Sequence, residues 1–134
     1  AQSRPRLYWT NIPGVTVPED KGLTIFDILE FPAAPVQPMV TRARKSYCLT
    51  ATHGNCLGKD GLPIPSEIIH NTKRHQRTCI IHDDHWRMLS PVECERLQTV
   101  PDGYTSSVTQ RQRYRCLGNG WTVDVIAHLL SFKL

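Results

Sequence analysis

Residues 89 to 104, LSPVECERLQTVPDGY, constrain the fold more tightly than any other stretch of the chain. Ser90 is a good N-cap, because a side-chain oxygen there accepts from a first-turn N–H that the helix itself leaves without a partner. Pro91 suits the first helical position, where its missing N–H removes no helical hydrogen bond and its fixed φ is already helical. Glu93 stands three residues after Ser90, the spacing at which a carboxylate reaches back to the N–H of the cap and closes a capping box. Pro101-Asp102-Gly103 then supplies the turn chemistry that stops the element. The stretch predicts a helix from Pro91 to about Gln98 with both ends set locally. Such an element positions something, yet no obvious catalyst lies beside it.

Around that helix the pattern is mixed. RLYWTNIP reads as a strand from Arg6 to Ile12, ended by Pro13-Gly14. LTIFDILE reads as a short helix with Thr24 as cap and Asp27 three residues on. FPAAPVQP is a proline-punctuated connector that no central strand would tolerate. From Val40 the chain offers short candidate strands, SYCLTA and RTCII, separated by the loop GNCLGKDGLPIP and by SEIIHNTKRHQ, which has room for one helical turn. SVTQRQRYRCLGNG reads as a helix or turn ended by Gly118. WTVDVIAHLLSFK reads as a helix with Trp121, Val125, Leu129 and Phe132 on one stripe and Val123, Ile126 and Leu130 on its neighbour. A helix apolar over so much of its circumference wants cover on more than one side, so this one reads as a part made to dock onto something larger. The predicted fold class is α+β, with short, mostly antiparallel strands in the middle and helices concentrated after Ser90.

At 134 residues the chain has the size of one domain, or one and a fraction, and can bury a core without metal or disulfides. Its five cysteines (Cys48, Cys56, Cys79, Cys94, Cys116) are scattered and odd in number, which fits free thiols in a reducing compartment better than a disulfide framework. No apolar run approaches the roughly 20 residues of a membrane helix. The opening AQSRPRLYW lacks the apolar segment of a secretory signal and reads as if something preceded it. Between Arg42 and Arg77, seven lysines and arginines stand against Asp60 and Glu67, a local excess of five that leaves the rest at −1 within the overall +4. A basic segment on a neutral frame suits a polyanion such as nucleic acid; a solvated basic loop accounts for the charge equally well.

Three separated blocks together resemble, in the correct order, the C-terminal motifs of the C5-cytosine DNA methyltransferases. QSRPRLYW (Gln2 to Trp9) is similar to the family's Gln-x-Arg-x-Arg segment entering a strand. RMLSPVECERLQTVPDGY (Arg87 to Tyr104) resembles its Arg-x-Leu-Thr/Ser-Pro-x-Glu-Cys/Ala-x-Arg-Leu-Gln-x-x-Pro-Asp-x-Tyr block. QRYRCLGNGWTVDVIAHLL (Gln112 to Leu130) resembles the Gly-Asn-Ser/Gly block with its closing helix, in the tryptophan-containing form of the animal de novo enzymes. The blocks cover about half the chain, at both ends. The middle falls where the family carries its variable target-recognition domain. The resemblance implies a division into an end segment of the catalytic-domain portion (1–13), a target-recognition domain including its organising helix (14–104) and a C-terminal helical segment (105–134). That last segment would return to a Rossmann-like cofactor domain. In this family the capped helix and PDGY turn organise the recognition domain against the rest of the enzyme, with Arg96, one turn after Glu93, as a brace for the helix.

The family's chemistry needs a cysteine thiolate, usually in a Pro-Cys dipeptide, to attack cytosine C6, a carboxylate in a Glu-Asn-Val segment, and a glycine-rich turn for S-adenosylmethionine. None of these occurs in the 134 residues. The five cysteines are therefore read as structural, since a nucleophilic thiolate needs a neighbourhood that depresses its pKa. The chain is expected to be the C-terminal third of a methyltransferase, a fragment or a small subunit inactive alone, whose partners are double-stranded DNA, the missing N-terminal catalytic part and, through the last helix, a second copy. The implied setting is a restriction-modification system or a phage, in the cytoplasm. A non-catalytic DNA-binding module of the same fold is the alternative.

By the same resemblance, Arg4 and Arg6 are the arginine pair near the flipped cytosine, with Arg6 donating to the ring's O2 through the fixed donors of a guanidinium. The base must leave the stack for its C6 to be reached. Asn119, Gly120 and Trp121 line the S-adenosylmethionine pocket, with backbone donors ahead of the last helix facing the cofactor carboxylate. In the recognition segment VTRARKSYCLTATHGN, Arg42, Arg44 and Lys45 are phosphate contacts, and Thr50, Thr52, His53 and Asn55 are base-edge contacts. KRHQR adds Lys73, Arg74 and Arg77 as further phosphate contacts. Where many family members carry a Thr-Leu pair this chain has Cys48-Leu49, so the resemblance places the recognition loop only to within a residue or two. CIIHDDH places Cys79, His82 and His85 at tempting zinc spacing, with Cys48 or Cys56 as a fourth ligand. No CxxC pair accompanies them and strand alternation would scatter them, so no metal is assigned.

Overall fold

The computed structural model describes residue 4 and residues 6–30, 45–46, 48–49, 78–82 and 85–133; of residues 79, 81, 82, 85 and 86 it describes the backbone only. In chain order it shows a 3-10 helix Ile25–Ile28, strands β1 (Cys79–His82) and β2 (His85–Met88), and helices α1 (Pro91–Leu97), α2 (Gln110–Asn119) and α3 (Val123–Ser131). The strands pair antiparallel with Cys79 opposite Met88 and Ile80 opposite Arg87. β1 lies where RTCII predicts a strand. β2 is an addition: the Asp-Asp step between two short runs is the turn signal that reveals it.

Helix α1 begins as its sequence dictates. Ser90 Oγ accepts from Glu93 N at 3.1 Å and the Glu93 carboxylate accepts from Ser90 N at 2.8 Å, with Pro91 in the first turn. At its end Thr99 adopts φ +57, the left-handed region that a β-branched residue rarely visits. The Thr99 hydroxyl donates to Gln98 O at 2.7 Å and accepts from Asp124 N at 2.9 Å, so the strained residue also caps the first turn of α3. Gly103, at φ +79, makes the turn after Pro101.

The 3-10 helix carries the expected Thr24–Asp27 box, with Thr24 N donating to Asp27 at 2.6 Å; the contact holds the Asp27 carboxyl below its ordinary range. α2 runs through Gly118 and ends at Asn119, and Gly120 is its cap. A side-chain Cβ at Gly120 would stand 3.0 Å from Cys116 O, and this close approach of the chain to the helix end is what requires glycine there. α3 is shorter than its apolar pattern, starting after Thr122 and ending before Phe132.

The core gathers Ile25, Ile28 and Leu29, Leu49, Ile80 and Leu89, Cys94 and Leu97, and Tyr114 and Leu117, with Val100 packed against it. Each of its large apolar side chains contributes roughly 1.5–3 kcal/mol by leaving water. Tyr114 reaches through it to donate to Leu89 O at 2.9 Å, and burial pushes its phenol up from the ordinary value. Burial likewise drives the Cys94 thiol far above its normal range, so it stays a neutral core group.

One expected strand differs from the structure. Residues 6–12 pair with no strand among the described residues, and Leu7 and Trp9 stand 80% and 88% exposed. A strand is held by a neighbour's ladder, and nothing described lies alongside to provide one. Of the SYCLTA strand, residues 47, 50 and 51 lie outside the described residues; among those described Ser46 takes part in a bridge, its hydroxyl 2.8 Å from that of Thr78.

Candidate functional site

Arg4 stands where three parts of the chain meet. Its Nη1 donates to Leu49 O at 2.8 Å and to Cys48 Sγ at 3.1 Å, both in the recognition segment. Its Nη2 donates to Gly118 O at 3.0 Å and Gly120 O at 2.8 Å, at the end of α2. Those carbonyls belong to the negative end of a helix, which favours a cation. The remaining donor, Nε, is buried and has no hydrogen-bond partner. The Nη donors of Arg4 are thus engaged inside the chain. Arg6, two residues on, is exposed, and no hydrogen bond or ion pair to it occurs among the described residues.

Just beyond Arg4's acceptors, Asn119, Gly120, Trp121, Val123 and Ile126 line an open depression of about 350 Å³. Its floor is apolar and its tryptophan is 60% exposed. These residues suit the apolar part of S-adenosylmethionine, with the Asn119 carboxamide at the rim. The carboxylate is a different matter. Gly120 N donates to Cys116 O at 2.8 Å, Val123 N to Gln98 O at 2.9 Å and Asp124 N to the Thr99 hydroxyl. The first of these bonds closes α2, and the other two dock the start of α3 on the end of α1.

The frame that holds this edge is a set of buried charges on α1. The Glu93 carboxylate, fully buried, accepts from both Nη groups of Arg87 at 2.8 Å, from Ser90 N and from Glu30 N at 3.2 Å. The hydrogen bond to Glu93 raises the Arg87 pKa. Arg96, expected as a brace for the helix, pairs with Asp102 at 2.6 Å and donates to Ile28 O and Leu29 O at 3.0 and 3.1 Å. It joins the PDGY turn to the 3-10 helix and lowers the Asp102 pKa.

Glu95 holds the same turn from inside, accepting from Gly103 N at 2.7 Å, Thr105 N at 2.8 Å, the Thr105 hydroxyl and Arg113 Nη2 at 2.9 Å. Burial pushes the Glu95 carboxyl up, but the Thr105, Arg113 and Gly103 donors outweigh it and leave it below its ordinary value. Gln98 completes the frame, its amide donating to Leu117 O at 2.5 Å and its side-chain oxygen accepting from the Thr122 hydroxyl at 3.2 Å. Sequence reasoning missed the roles of Arg87, Gln98 and Arg113. Arg87 had a signal, since it closely precedes the capping motif; the steps from Glu95 to Arg113 and from Gln98 to Leu117 have none.

Of the DNA-contact candidates, Lys45 is described and pairs with Asp20, whose carboxyl it lowers. Arg42, Arg44, Thr50, Thr52, His53, Asn55, Lys73, Arg74 and Arg77 lie outside the described residues, as do the side chains of Cys79, His82 and His85. Among the described residues no cluster of three metal-ligating side chains occurs, and no helix is long and apolar enough to cross a membrane.

The geometry joins residues 48 and 49 to the end of α2 through Arg4, and the sequence places the chain in a class. The model of the C-5 cytosine-specific DNA methylases matches residues 20–131, and the chain belongs to that family. Enzymes of the family use S-adenosylmethionine and act on double-stranded DNA. Over 47 residues the chain is 38% identical to the type II methyltransferase M.Sau3AI of Staphylococcus aureus. That stretch covers 35% of this chain and 11% of the relative, so the chain matches only about a tenth of the relative's length.

Proposed function

We propose that these residues form the target-recognition and C-terminal part of a DNA (cytosine-5-)-methyltransferase acting on duplex DNA, in a restriction-modification setting. One observation carries the reading: the family match spans residues 20–131, a range that includes the basic segment and the two later motif blocks. S-adenosylmethionine, when bound, supplies the methyl group. The part of this chain is to hold and to orient. Arg6 donates to the carbonyl of the extruded cytosine. Trp121, Val123 and Ile126 cover the apolar side of the cofactor, with Asn119 at its polar rim.

Arg42, Arg44, Lys45, Lys73, Arg74 and Arg77 hold phosphates, and Thr50, Thr52, His53 and Asn55 face base edges. Lys45 exchanges Asp20 for a phosphate when DNA arrives. The recognition part spans 14–104, short antiparallel strands with an organising helix, and residues 105–134 return to a Rossmann-like domain on which α3 lays its outer stripe. The Pro-Cys nucleophile must come from sequence beyond these 134 residues.

The test is reconstitution. The chain is mixed with the N-terminal catalytic portion of a methyltransferase of this family and isotope-labelled S-adenosylmethionine, and methyl transfer to duplex DNA is measured. Transfer is expected only with both parts present. Binding of DNA by the chain with no transfer in any combination would overturn the reading in favour of a non-catalytic DNA-binding module.

A further inference from the structure

We infer that Arg4 is a positioning residue that couples the recognition segment to the cofactor-side turn, so that duplex DNA and S-adenosylmethionine bind interdependently through its guanidinium. The inference rests on the function proposed above and adds a residue and a route to it. The observation is the division of labour within one rigid plane. Nη1 holds only the recognition segment, at Leu49 O (2.8 Å) and Cys48 Sγ (3.1 Å). Nη2 holds only the turn, at Gly118 O (3.0 Å) and Gly120 O (2.8 Å). Leu49 is 2% exposed, so the first hold is anchored in the core. Asn119 lies between the two carbonyls of the second, and Trp121 directly follows them, both lining the depression.

Arginine's fork is fixed, unlike lysine's single nitrogen. A shift of the recognition backbone must therefore move the turn or break two hydrogen bonds. Among the described residues no carboxylate meets this cation, and its Nε is buried without a partner. Its charge faces the carbonyls at the end of α2, and the guanidinium grips two segments at once. Arg6, exposed two residues away, is left to meet the base.

The test measures linkage in the reconstituted enzyme. The probes are S-adenosylhomocysteine and a 30-base-pair duplex selected from a randomised pool by the wild-type protein. Calorimetry gives the Kd of S-adenosylhomocysteine with and without the duplex. In the wild type the duplex is expected to change that Kd by about 5-fold or more, the usual range of a coupled pair. In Arg4→Lys and Arg4→Ala the ratio is expected to fall below about 2-fold, while each ligand bound alone changes by less than about 3-fold.

A merely structural arginine would weaken both ligands and leave the ratio intact, and that result overturns the inference. Should Arg4→Ala fail to melt cooperatively, Arg4→Lys carries the decision, because it keeps the charge and can grip only one side. A wild type that binds both probes with no linkage refutes the coupling and spares the proposed function. A wild type that binds neither refutes both.

Discussion

In α1 four of seven residues are buried, and two of them, Glu93 and Glu95, are carboxylates; in α3, with six apolar residues of nine, none is buried. Apolar content therefore does not decide burial here. A carboxylate is kept in the core only where donors replace its water, and Glu93 and Glu95 each accept from four. The α3 helix lacks a covering surface. Its first stripe turns partly inward at Val125, Leu129 and Phe132, while Val123 and Leu130 remain 46% and 54% exposed. The difference separates a helix whose buried groups are satisfied within the chain from one that none of the described residues buries.

The sharpest way to break that comparison is to remove a buried carboxylate. Glu95→Ala leaves Arg113 without its ion pair and the Gly103 and Thr105 N–H groups without an acceptor. Removing one partner of a buried pair costs about 3–5 kcal/mol. Urea denaturation is expected to show a loss of that size, and a change below about 1 kcal/mol would mean the network is not what allows α1 to be buried.

Acid provides a gentler version. The folded-state carboxyl of Glu95 titrates below the ordinary 4.5. Its contribution is therefore complete above that value and fades as pH falls through the lower folded one. Stability of the wild type is expected to drop below pH 4.5, and Glu95→Gln to flatten that part of the profile. Equal slopes would assign the acid loss to other groups.

The link between the two regions is smaller. Thr99→Val keeps the shape and removes the hydroxyl that caps Asp124 N. That hydrogen bond is exposed, so water replaces it, and the expected cost is about 0.5–1 kcal/mol. Faster hydrogen exchange at the start of α3, with α1 unchanged, is the signature; equal acceleration in both helices would show that they melt as one unit.

The smallest effect on stability belongs to Leu130→Lys. A half-exposed position on an uncovered face tolerates charge within about 0.5 kcal/mol. Its effect on association is the informative part. By sedimentation equilibrium the isolated chain is expected to form a concentration-dependent dimer through α3, and the Val123→Lys/Leu130→Lys variant to be a monomer. A strictly monomeric wild type would remove the case for an unfinished face.

The helix starts were legible in the sequence because a capping box is a contact between residues three apart. Ser90 with Glu93 and Thr24 with Asp27 formed as read. No residue of α3 is buried, and the two apolar stripes of that helix were legible too. The partners of the charged residues were not. Arg96 was read as a brace for the helix, but its partners Asp102, Ile28 and Leu29 were not named by that spacing, nor was Arg87 as the partner of Glu93. The strand read over residues 6–12 failed for a related reason: alternation describes one strand, and pairing needs a second.

What the sequence determined by itself was local and short-range: the start of α1, the boxed 3-10 turn, the turn at Gly103, and the motif order that marks the family. Tertiary structure alone decided which arginine meets which carboxylate and that Val123 directs its N–H to Gln98 O. It also decided that Arg4 grips Leu49 and Gly120, residues 45 and 116 positions away. Capping energy depends on a few neighbouring dihedrals, which a sequence displays. Buried charges are settled by whichever donors the completed fold brings within 3 Å, and no spacing along the chain encodes that distance.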